Sequence, residues 1–107
     1  MLWGNDDTDI APFSQQQEAF SLMINAPAKV LYAAQSDKHG EPVLSASHGA
    51  PCQLPDKKTG EPQEDAIDFR YYYAGLDAAL DGQSSVAFDM GMWSDGAPVK
   101  PVEKMLP

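Results

Sequence analysis

Nine prolines and eight glycines are spread over 107 residues, and this punctuation limits what the chain can build. Proline removes a backbone donor and breaks helices, while glycine opens the turn conformations that other residues avoid. A helical bundle is therefore disfavoured, and several short elements joined by turns are expected.

Residues 14–25 read as the best helix. Ser14 and Gln17 have capping-box spacing, and Glu18 lies near the positive end of the helix dipole. Ala19, Phe20, Met23 and Ile24 form an inward stripe, and Pro27 ends the segment. Residues 29–35 follow as a strand built on Val30, Leu31 and Tyr32. The turn Asp37-Lys38-His39-Gly40-Glu41-Pro42 then returns the chain as a second strand over residues 43–47. Residues 49–65 show no periodicity and read as a long loop. Alternation marks residues 67–74 as a strand, with Ile67, Phe69, Tyr71 and Tyr73 inward and Asp68, Arg70 and Tyr72 outward. A short helix over residues 76–80 closes at Gly82. A last strand over residues 84–90 turns Val86, Phe88 and Met90 inward, and residues 102–106 suit a short terminal helix. The expected fold is α+β: a three- to four-stranded antiparallel sheet with the N-terminal helix packed on one face. It divides into an exposed acidic arm (1–12), an α+β core (13–90) and an irregular C-terminal strap (91–107), all in a single domain.

Charge narrows the function classes. Sixteen Asp and Glu oppose seven Lys and Arg, for a formal charge of −9. Binding nucleic acid directly requires a basic stripe to neutralise phosphates, and an anionic membrane surface makes the same demand. Neither is expected as a ligand. A protein with a basic surface is the complementary partner, because opposite fields speed encounter and suppress wrong pairings. A homodimer is the other association to consider.

Little in the chain signals chemistry. His48 and Cys52 are spaced for one helix face, but Gly49 and Pro51 forbid that helix, and zinc would need further soft ligands. Cys52 as a nucleophile would need His48 or His39 as its base and an oxyanion loop that the flanking residues do not supply. Carboxylate pairs such as Asp77 with Asp81 or Glu64 with Asp68 are expected by chance in so acidic a chain. No glycine-rich phosphate loop is present. No enzyme activity, cofactor or metal is expected. A single cysteine excludes a disulfide within one chain, and the first residues lack the pattern of a secretory signal, so the expected address is the cytoplasm (of a host cell, if the chain is phage-encoded).

Two patches stand out as partner-binding candidates: Asp6, Asp7 and Asp9 on the arm, and Glu61, Glu64, Asp65 and Asp68 beside an outward Tyr72. Tyrosine buries area at low entropy cost and is favoured at interfaces. Small acidic chains without motifs resemble, as a class, phage anti-defence proteins such as anti-CRISPRs and toxin-immunity proteins. That likeness implies an inhibitor that covers a basic groove by steric and electrostatic blocking. The element order also resembles acidic secretion chaperones, which implies a dimeric adaptor. A third resemblance lies in the run from Lys29-Val30-Leu31-Tyr32 through Asp37 to Val43. It looks like the opening hairpin of the flavin-binding split-barrel family and implies a small flavin domain, with no site residue carried over.

Overall fold

The computed structural model describes residues 1–52, 54–61 and 63–106. It is a small α+β fold with a three-stranded mixed sheet and two helices. Strand β2 (Leu31–Ala34) is central, between β1 (Leu2–Gly4) and β3 (Glu103–Leu106). All four residues of β2 are buried. The short apolar run Leu-Tyr-Ala-Ala suits a strand covered on both faces, where alternation with polar residues would be costly.

The all-antiparallel expectation is corrected. β2 and β3 pair antiparallel, but β1 runs parallel to β2, with Leu2 opposite Tyr32 and Gly4 opposite Ala34. Parallel neighbours need a long crossover, and the intervening segment with α1 (Phe13–Leu22) provides it. The expected hairpin is reduced to one antiparallel bridge. Asp37 and Leu44 exchange both backbone hydrogen bonds, at 2.9 and 2.8 Å. β1 shows that the first residues are not wholly a free arm, and β3 replaces the expected terminal helix. The expected last strand over 84–90 has no ladder partner among the described residues. Its alternation survives, with Met90 buried, Val86 and Phe88 half-buried, and Ala87 and Asp89 exposed.

α1 begins at Phe13 after Pro12, and no side chain caps it, so the Ser14–Gln17 capping box does not form. Only Phe20 of its residues is buried. Lys29 places its ammonium 4.6 Å from the Phe20 ring centre and donates to the Phe20 carbonyl at 2.8 Å. The helix lies against the body through this end and through the Trp3–Phe13 ring contact, rather than along a full apolar face.

The largest correction falls on residues 67–74, which are helical. Residues 66–67 start the helix, Asp68–Tyr73 continue it with π-helical spacing, and α2 (Ala74–Leu80) completes it. Its start is capped reciprocally. Asp65 Oδ1 accepts the Ile67 N–H at 2.8 Å, and Asp68 Oδ2 accepts the Asp65 N–H at 2.9 Å. This is capping-box logic with Asp in both places. Helical periodicity then buries Ile67, Asp68, Tyr71, Gly75 and Ala78, while Phe69 and Tyr73 turn outward. The aromatic content that suggested a strand reflects a weak preference that packing overrides. Gly75 gives the Leu2 side chain room against the helix: a Cβ there would lie 2.7 Å from Leu2 Cδ1, and the leucine would have to turn aside.

Tyr71 joins helix and sheet. Its hydroxyl accepts the Trp3 N–H at 2.8 Å and lies within donating reach of the Trp3 and Tyr32 carbonyls, at 2.9 and 2.8 Å. Burial raises its pKa, so the hydroxyl keeps its proton. The core gathers around it: Tyr32, Ala34, Leu44, Ala46, Ala50, Ile67, Met90 and Val99. Among the described residues, no helix is long and apolar enough to cross a membrane.

Candidate functional site

The Tyr71 bonds fix β1 against the helix, and a cavity of about 240 Å³ opens beside that junction. Trp3, Asp7, Gln16, His48, Pro51 and Tyr72 contribute to its wall. Trp3 is oriented by its indole N–H, which donates to the Ala11 carbonyl at 2.9 Å.

Asp7 follows a tight turn in which its own N–H bonds the Gly4 carbonyl at 3.0 Å. That turn points the carboxylate inward. Oδ1 accepts the Ala11 N–H at 3.0 Å, and Oδ2 lies 2.8 Å from His48 Nδ1. His48 is presented by the turn that leads into the 3₁₀ turn Ala50–Cys52. A carboxylate at Nδ1 selects the tautomer with its proton there and leaves Nε2 as an acceptor in the neutral ring.

Tyr72 comes from the helix and is half-buried. Burial pushes its hydroxyl up to about 12, and the negative charges of Asp7 and Asp68 add to the shift. Tyr72 is therefore a neutral phenol throughout the physiological range. The same field that resists a phenolate favours a cation. Aromatic faces beside a carboxylate make a chemical environment suited to an ammonium or guanidinium group.

The structure separates the candidate residues that the sequence grouped. Asp7 and Tyr72, from different patches, share this cavity wall. Asp6 is exposed and accepts a hydrogen bond from the Ser36 hydroxyl; Asp9 and Glu61 are exposed as well. Glu64 and Asp65 are half-buried, and burial followed by the Asp68 charge raises the Asp65 pKa. Asp7 and Asp68 do not belong to exposed acidic patches, because both are buried. Asp68 is 1% exposed and serves the helix cap, with Oδ1 making no hydrogen bond. Tyr72 is turned into the cavity wall rather than onto the outer face of a strand.

Sequence reasoning missed the joint role of Trp3 and His48. His48 lies 41 positions from Asp7, so no local spacing announces the pair. Among the described residues, no group of three or more His, Cys, Asp or Glu side chains is placed to hold a metal ion. No protein-family model matches the chain, and no curated protein or solved structure matches it.

Proposed function

We propose that this protein is a small acidic interaction module that captures a basic surface of a protein partner and blocks it. The observation that carries this reading is the cavity with aromatic walls and Asp7 held beside them, in a chain of net charge −9. An arginine or lysine side chain of the partner enters it, stacks on Trp3 and Tyr72, and places its charge in the field of Asp7 and Asp68. Exposed Asp6, Asp9 and Glu61 steer the approach without carrying much of the affinity.

A surface of this kind suits inhibition of a protein whose basic groove normally holds nucleic acid, as anti-defence (anti-CRISPR) or toxin-immunity proteins do. The test is calorimetric titration with an arginine-rich peptide and with an acidic control peptide. We expect binding of the basic peptide alone, weakening as salt rises, and a loss of at least about tenfold in Tyr72→Leu. Binding that is unchanged by salt, or equally strong in Tyr72→Leu, contradicts the proposal.

A further inference from the structure

We infer that the cavity beside Asp7 selects arginine over lysine, through the free ring nitrogen of His48 and the side-chain amide of Gln16. This rests on the proposed capture of a basic surface and names the residue that is captured. Asp7 supplies negative charge to the cavity but no open acceptor. Its Oδ1 takes the Ala11 N–H at 3.0 Å, its Oδ2 lies 2.8 Å from His48 Nδ1, and the residue is buried. It therefore acts on an entering cation through its field rather than through a direct ion pair. The acceptors left open in the cavity wall are neutral. With Nδ1 of His48 directed to Asp7, Nε2 has no hydrogen-bond partner among the described residues. Gln16, half-buried on α1, has a side-chain amide that is also unpartnered among them, and so does the Tyr72 hydroxyl.

Neutral acceptors and aromatic walls treat the two basic side chains differently. An ammonium is a compact, strongly hydrated charge, and leaving water is costly for it when no carboxylate oxygen is open to meet it. A guanidinium is more weakly hydrated, stacks on aromatic rings, and spreads five N–H donors around the edge of a plane. Donors spread in this way can reach acceptors that come from separate elements, here α1, the turn at His48 and the helix that carries Tyr72. Trp3 and Tyr72 supply the aromatic walls, and the indole of Trp3 is held in place by the Ala11 carbonyl at 2.9 Å. Size is compatible as well: a cavity of about 150 Å³ holds a benzene ring, so one of about 240 Å³ admits a guanidinium with part of its stem.

The test is calorimetric titration of the full chain with two peptides that are identical except that lysine replaces every arginine. It is run at about pH 8, which favours a neutral imidazole. The arginine peptide should bind at least about tenfold more tightly than the lysine peptide. Gln16→Leu and His48→Asn should each reduce that ratio at least about threefold, with little change for the lysine peptide. The shorter Asn amide can still donate to Asp7 but does not reach the place of Nε2. Circular dichroism checks that both variants fold, and Gln16→Leu is the safer one because Gln16 lies outside the core. Equal affinity for the two peptides overturns the arginine selectivity while leaving the capture of a basic surface standing. An arginine preference unchanged in both variants overturns the assignment to His48 and Gln16. Binding of neither peptide overturns both readings.

Discussion

His48 Nδ1 lies 2.8 Å from Asp7, and His39 Nε2 lies 2.7 Å from Asp95. The residue types and distances are nearly the same, but the surroundings are not. Each carboxylate also accepts a backbone N–H, from Ala11 at 3.0 Å and from Ala97 at 2.9 Å, but the Asp7 side chain is 9% exposed and the Asp95 side chain 59%. Water reaches both imidazoles, but it competes for the Asp95 carboxylate and is largely kept from that of Asp7. A contact distance alone therefore says little about what a histidine–carboxylate contact contributes; burial of the carboxylate decides it.

The strongest way to break this comparison is to truncate each acid. Asp7→Ala leaves the Ala11 N–H and the His48 ring without their partner, at an expected cost of about 3 kcal/mol in urea unfolding. Asp95→Ala should leave the unfolding midpoint unchanged within error. Equal effects would show that burial is not the deciding difference.

A smaller effect should separate the exposed pair from the structure beside it. Asp37, not Asp95, ties the 37–44 bridge to the C-terminal strap. Its carboxylate accepts N–H donors from Lys100 at 3.0 Å, His39 at 3.1 Å and the Trp93 indole at 3.1 Å. The Lys100 N–H is the largest cause holding the Asp37 pKa below the usual range, with the His39 and Trp93 donors adding to it. A depressed pKa contributes stability that is present above the unfolded value and is lost as pH falls through the folded one. Trp93 fluorescence should therefore report loosening below about pH 4. Asp37→Asn should flatten that response, while Asp95→Ala should preserve it.

His48→Gln keeps a donor near Asp7 and should cost about 1 kcal/mol or less, well under the cost of Asp7→Ala in the same urea assay. The smallest effect is on Tyr72, whose hydroxyl is pushed up to about 12 mainly by burial, with Asp7 contributing. In an ultraviolet titration, Asp7→Asn should lower the Tyr72 midpoint modestly, and Asp95→Ala should not move it.

Some of this organisation was legible in the sequence. β2 follows from an apolar run that can be covered on both sides, and the inward set Val86, Phe88 and Met90 follows from alternation. β1 and β3 were not legible, because strands of three and four residues carry little pattern and form here only by pairing with β2. Residues 67–74 misled because their aromatics alternate as a strand would. The spacing of Asp65 and Asp68 was the available helix signal, with Ile67, Tyr71 and Gly75 as its buried period. At the site, Asp7 and Tyr72 were visible as residue types, but the fold alone turns them towards each other.

The most direct test of the proposed function is the two-dimensional NMR spectrum of the protein titrated with an arginine-rich peptide, following the Trp3 indole N–H. Trp3 lines the cavity, whereas Trp93 is held at Asp37, so the two indoles report on different places. Entry of a cationic side chain predicts a saturable shift of the Trp3 resonance, no comparable shift of Trp93, and loss of the effect in Tyr72→Leu. Peptide binding that leaves Trp3 unmoved, or moves both indoles equally, would contradict it.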